Sequence, residues 1–224
     1  MTDAAIIALS LKIAVVATVA SAPLAVIVAL VLARGRFWGR SLLNAIVHLP
    51  LVLPPVVTGY VLLRVLGRHG PVGAFLERTL GVVFAFRWTG AAVAAAVMGF
   101  PLMVRAIRLA IESVDRDLED AACTLGASRW WTFATITMPL ALPGLLAGMI
   151  LGFAKALGEF GATITFVSNI PGETQTLALA IFSLIQTPGS DRAVMRLVGL
   201  SVGVSFAALM LSEYLARRVA RGRS

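Results

Sequence analysis

Few residues in this chain have the type and spacing that chemistry needs. Lys155 and Glu159 lie four apart, so on a helix they share a face and can form an ion pair or a short proton relay. Glu119 and Asp120 stand beside Ala121, Ala122 and Gly126 in a locally polar stretch. That pattern suits close contact with another surface better than acid–base work. His48 and His69 are far apart in sequence and form no ligand set, and the single cysteine, Cys123, allows neither an intrachain disulfide nor a cysteine metal cluster. No GxxxxGK[ST] loop, HExxH motif or nucleophile–base pair occurs, so no catalytic residue, metal or cofactor is expected, and any ATP must be bound by another chain.

The elements that position these residues are apolar. Of 224 residues, 59% are hydrophobic and only 13% are charged, against roughly 25% in an ordinary soluble domain. Mean hydropathy is +0.93. With so little charge to cover a surface, lipid is the expected solvent. Five stretches are long enough to cross a bilayer, at about 6–33, 42–66, 89–110, 136–157 and 194–215. Together they predict one all-α transmembrane domain over 6–215, a polytopic bundle of about five spans. The run Leu177–Ile185 is too short to cross and reads as a half-helix or re-entrant piece. Pro50, Pro54 and Pro55 predict a bent second span. The first apolar run, Ala4–Ala33, is too long for a signal-peptide core and reads as a span.

The net charge is +8. Arginines cluster in short connections: Arg34, Arg36 and Arg40; Arg105, Arg108, Arg116 and Arg129; and Arg217, Arg218, Arg221 and Arg223. This alternation is what the positive-inside rule produces, not a nucleic-acid surface. It predicts an outer N-terminus, an inner C-terminus and a cytoplasmic segment at 112–135, in a bacterial inner membrane. Arg68, Arg78 and Arg87, in the connection after the second span, run against that pattern. Lys155 and Glu159 fall near the outer end of the fourth span, where water is expected to be close.

The polar segment ESVDRDLEDAACTLGASRWWTFATITMPLALP, residues 112–143, is the most informative. Asp117 is expected to cap a helix from about Leu118, with acids in its first turn, and Gly126 to end it in a left-handed conformation. Ser128 then caps a second short helix, 129–134, and the chain re-enters the membrane near Ile136. On physical grounds alone, two readings stand for this segment: a rigid docking element for a cytoplasmic partner, or an interfacial helix anchored by Trp130 and Trp131.

Asp120-Ala121-Ala122, Gly126, Ile136 and Met138-Pro139 have the spacing EAA-x3-G-x9-I-x-L-P and resemble the signature of type I ABC importer permeases. Asp120 stands for Glu and Met138 for Leu. The runs 100–106, 156–163 and 169–176 look like the molybdate branch of that family, with the sulfate/thiosulfate branch sharing the Gly158–Ala162 core. The resemblance implies short coupling helices whose residues Glu119, Asp120, Ala121, Ala122 and Gly126 meet an ATP-binding subunit. It also implies a homodimer carrying two ATP-binding cassette subunits and an extracytoplasmic oxyanion-binding protein, working by alternating access. Molybdate would be carried; sulfate, thiosulfate and tungstate share every physical argument, and an ion-coupled secondary carrier or a non-transporting scaffold are rivals of another class. A tetrahedral dianion needs weak neutral donors along its path, which Thr58, Thr163, Thr165, Ser168 and Asn169 offer. Each threonine can equally bond back to its own helix.

Overall fold

A computed structural model describes residues 2–221, with the side chains of Ser212, Glu213 and residues 215–221 outside the description. Every regular element among the described residues is helical. The order is α1 (Asp3–Arg34), α2 (Arg40–Val52), α3 (Pro55–Leu66), α4 (Pro71–Leu80), α5 (Trp88–Glu112), α6 (Arg116–Thr124), α7 (Arg129–Thr132), α8 (Met138–Leu157), α9 (Gly161–Val167), α10 (Leu177–Ile185) and α11 (Asp191–Arg221). Four stretches are long and apolar enough to cross a membrane: α1, α5, the run Arg129–Leu157, and Asp191–Leu211 of α11. The pair α2–α3 brings the number to five if it is one span, although its halves meet at 113°.

That angle is far sharper than a proline kink within one helix. Leu53 and Pro54 are extended at the break, and Pro55 opens α3 at the first helical position, where its missing N–H costs nothing. The long first stretch stays one 32-residue helix despite Pro23. The segment after Gly126 also differs from expectation. Instead of a separate second helix, α7 runs through a π-helical turn, Phe133–Thr137, straight into α8. The cap of α6 is Asp115, which accepts from Asp117 N, so the helix begins two residues early; Asp117 falls inside its first turn. The final arginine cluster cannot be placed: the side chains of Arg217, Arg218 and Arg221, and Arg223 entirely, lie outside the described residues.

The bundle is organised around α5, which packs on α1 and α8. Small residues make the approach close. Gly144, Gly148 and Gly152 recur every fourth residue on α8 and face α5. A Cβ at Gly144 would sit 2.1 Å from Ala110 Cβ, and one at Gly152 2.5 Å from Met103 Sδ. In lipid such contact supplies the dispersion energy that hydrophobic exclusion cannot. Two buried clusters result. One joins Ile13, Ala17, Ala95 and Met98 to Ala162 and Phe166 of α9. The other joins Ala29 and Leu32 to Met103, Ile107 and Ile111. The short helix α9 packs on α3 and α5, and α10 on α11 and α1; at about 1.5 Å per residue neither is long enough to cross.

Candidate functional site

One end of the molecule gathers the ends of α1 and α5 with the starts of α2, α6 and α8 into a polar joint. Arg34, the last residue of α1, donates to Ile111 O at 3.0 Å, to Val114 O at 3.3 Å and to Glu119 Oε1 at 3.0 Å. The same Oε1 accepts a 2.6 Å hydrogen bond from Thr137 Oγ1, on a residue almost completely buried in the π-helical turn. One guanidinium and one carboxylate thus connect α1, α5, α6 and the entry to α8. Charge-assisted bonds of this kind are shorter and stronger than neutral ones, and partial burial limits their screening. A second layer braces the joint: Arg108 pairs with Glu112 at 2.8 Å and with Asn44 Oδ1 at 3.1 Å, and Arg40 donates to Leu32 O at 2.8 Å.

The structure therefore separates the two neighbouring acids. Glu119 turns inward to the joint, whereas Asp120 is exposed. Ala121 and Gly126 are exposed with Asp120, and Ala122 is half-buried. Gly126 has φ +92°, the left-handed conformation expected of it, with Ala127 N bonding Ala122 O at 3.0 Å and Gly126 N bonding Cys123 O at 3.0 Å. These two bonds close a Schellman motif, which satisfies the last carbonyls of α6 and fixes its exit. Ser128 caps α7 through Trp131 N, as its position predicts. The outer face of this corner carries exposed Leu118, Leu125, Trp130 and Trp131 beside Asp120.

The second candidate region is the seam between α3 and α9. Gly59 lies so close to α9 that a Cβ there would be 2.5 Å from Ala162 O and 2.9 Å from Thr165 Cβ; Gly161 faces Pro55 at a similar distance. Thr58 is buried beside this contact and its Oγ1 has no hydrogen-bond partner. Thr163 is buried in α9. Thr165 bonds back to Gly161 O at 2.8 Å, the outcome that competes with a path role. Ser168 and Asn169 lie apart, in the turn after α9. Ser168 adopts φ +62°, ψ −168°, a region occupied almost only by glycine, and its carbonyl accepts from Thr174 Oγ1 at 3.0 Å. Asn169 Nδ2 reaches Leu179 O at 3.4 Å, and its buried Oδ1 has no partner. The seam thus brings Gly59 against Thr165, with Thr58 as its chain neighbour, while Ser168 and Asn169 sit in the turn after α9 and meet Thr174 and Leu179 instead.

Lys155 and Glu159 do pair, at 2.6 Å. Water reaches the pair only at Lys155, whose side chain is 31% exposed, since Glu159 itself is only 3% exposed. The reason is topological: the chain does not leave the bundle after α8 but turns into α9, covering the carboxylate. Its other oxygen accepts from Ala162 N at 3.0 Å, capping α9. Both oxygens are used structurally. His48 bonds its own helix at Asn44 O, 2.9 Å away, and no group of three or more metal-ligating side chains occurs among the described residues. Sequence reasoning missed Arg34 and Thr137 as partners of Glu119; no local pattern links positions 34, 119 and 137. It also missed the α8 glycine repeat, which a search for small residues every four positions would have found.

Comparisons with known proteins agree with this architecture. Residues 21–221 match the model of the family described as the binding-protein-dependent transport system inner membrane component. The chain is 56% identical over 211 residues to the molybdenum transport system permease protein ModB of Haemophilus influenzae, covering 94% of this chain and 92% of that protein. It is 56% identical over 209 residues to ModB of Escherichia coli, and 34% identical over 209 residues to the sulfate transport system permease protein CysT of that organism, covering 75% of the latter. Among solved structures, a bacterial ABC transporter that imports the acidic polysaccharide alginate superposes with TM-score 0.75 at 19% identity, over 96% of this chain and 78% of that one. The inward-facing MetNI methionine ABC transporter superposes with TM-score 0.68 at 16% identity, over 97% and 94%. The fold is that of an importer permease, and the chain belongs to the family of binding-protein-dependent transport system inner membrane components.

Proposed function

We propose that this chain is the membrane-spanning subunit of an ATP-driven importer that carries molybdate inward. One observation carries the reading: identity of 56% along 94% of the chain to a molybdenum permease, against 34% to a sulfate permease. On this reading residues 6–215 are one transmembrane domain with its N-terminus outside and the α6–α7 corner in the cytoplasm. Two copies enclose the path, two ATP-binding cassette subunits supply the energy, and an extracytoplasmic protein delivers the anion. The face formed by Asp120, Ala121, Ala122 and Gly126 docks the ATP-binding subunit. Glu119 acts from behind that face, holding α6 to Arg34 and Thr137 so that a push on the corner reaches α1, α5 and α8 together.

The path is proposed to follow the seam of α3 and α9. Thr58 Oγ1 and Asn169 Oδ1 are buried polar atoms without partners, a costly arrangement that water or a permeating group relieves. An ion-coupled carrier is disfavoured because Glu159, the acid most deeply buried among the described residues, is consumed by Lys155 and the α9 cap. The discriminating experiment is ATPase activity of the reconstituted complex, with its binding protein, across molybdate, tungstate, sulfate and thiosulfate. Stimulation by molybdate-loaded binding protein is expected. Stimulation by sulfate alone would assign the sulfate branch, and no response to any oxyanion would end the importer reading.

A further inference from the structure

The corner between α3 and α4 holds a half-open cavity of about 390 Å³, walled by Arg64, Arg68, His69, Ala85 and Phe86. Its charge is one-sided. Among the described residues no carboxylate lies within ion-pairing distance of Arg64 or His69, and Arg68 has only a long contact with Glu77, at 3.9 Å between exposed groups. The whole connection from 67 to 87 contains one acid, Glu77, against Arg68, Arg78 and Arg87. Phe86, which also lines the cavity, holds φ +61°, an uncommon conformation for an aromatic residue. Gly70, at the entry to the ten-residue α4, completes the floor, so the positive end of that helix adds to the side-chain charges.

This connection is also where the positive-inside pattern breaks. Arginines on the outer side oppose insertion bias, so their presence calls for a local reason. We propose that the α3–α4 corner is an oxyanion-binding vestibule on the outer side, in which Arg64, Arg68 and His69 hold a tetrahedral dianion next to the α3–α9 seam. The inference rests on the orientation and substrate class proposed above. A forked guanidinium matches two oxygens of a tetrahedral anion, and a charged cleft bounded by apolar walls raises the local anion concentration. The site is open and wet, so it binds weakly and releases readily, as a vestibule between a binding protein and a path requires.

The test uses the chain assembled with its ATP-binding partner in phosphatidylcholine nanodiscs, without binding protein, and measures molybdate by equilibrium dialysis at constant ionic strength. Saturable binding is expected, not displaced by chloride, with Arg64→Gln and Arg68→Gln each weakening it about tenfold, the loss of roughly one charge-assisted bond. Arg64→Lys should recover part of the loss. Gel filtration and thermal unfolding establish that each variant remains assembled. Absent binding, or binding unchanged in both glutamine variants, overturns the proposal. So does a result in which the variants lose affinity only for the binding protein, or in which phosphatidylglycerol in the nanodisc displaces molybdate completely, which would assign the corner to a partner or a lipid headgroup. Stimulation of the wild-type ATPase by loaded binding protein is read in parallel, so failure of the importer reading is separable from failure of the vestibule.

Discussion

Arg34 and Arg64 both stand at or near the end of an apolar helix, and the molecule treats them in opposite ways. Arg34 is surrounded: two backbone carbonyls and Glu119 accept from it, and the carboxylate it meets is shared with Thr137. Arg64 faces a cavity with no acid beside it. A partly buried charge paired through one terminal nitrogen, with only its Nε left without a partner, fixes relative positions of elements, because moving any one of them leaves a further desolvated group unpaired. An unpaired charge at an open cavity fixes nothing and remains available to a ligand. The contrast teaches that the arginines of a membrane protein divide into structural and receptive ones by their neighbours rather than by their depth or count.

That contrast can be broken most directly at the joint. Arg34→Glu or Glu119→Arg alone should abolish anion-stimulated ATPase and uptake, since each leaves two like charges facing one another in a partly buried site. The double exchange Arg34→Glu with Glu119→Arg should restore a measurable part of both; equal failure of the double variant would show that the pair transmits nothing specific. Next in size is Gly126→Val. A β-branched residue at φ +92° costs about 1–2 kcal/mol or more and should misdirect the exit of α6. The spans should still insert, while stimulated ATPase falls severalfold; unchanged coupling would remove α6 from the docking face.

A smaller, local effect is expected at the seam. Gly59→Leu places side-chain atoms where Ala162 and Thr165 already stand, and overpacking of this type costs roughly 1–3 kcal/mol. Thermal unfolding in detergent should record the loss, and uptake should fall without loss of ATP-binding-subunit association. Smallest is the effect of Arg64→Gln on stability. With no internal partner to orphan, the unfolding free energy should stay within the change typical of surface sites, about 0.5 kcal/mol. A large drop would place Arg64 with Arg34 among the structural arginines.

Much of this was legible in the chain itself. Hydropathy located every long helix, and the prolines at 50, 54 and 55 marked the second span as the irregular one. The left-handed glycine and the Ser128 cap could be read from residue type alone, because both follow from steric and hydrogen-bonding rules confined to a few neighbouring residues. Local rules were less sufficient for the cap of α6, where Asp115 and Asp117 are both suitable and two residues apart. They were insufficient for the 129–137 segment, where a π-helical turn carried the helix on without a break.

By itself, then, the sequence determined a helical membrane protein with a rigid polar corner, since apolar length, arginine spacing and turn chemistry act locally and need no knowledge of what packs where. Tertiary structure alone decided that adjacent Glu119 and Asp120 face opposite ways, that Glu159 is covered by a returning α9, and that Arg34 meets residue 119 across 85 positions of chain. The physical reason is the same in each case: the partner of a charged group in a bundle is set by which helices lie side by side, and that is a property of packing that no spacing along the chain encodes.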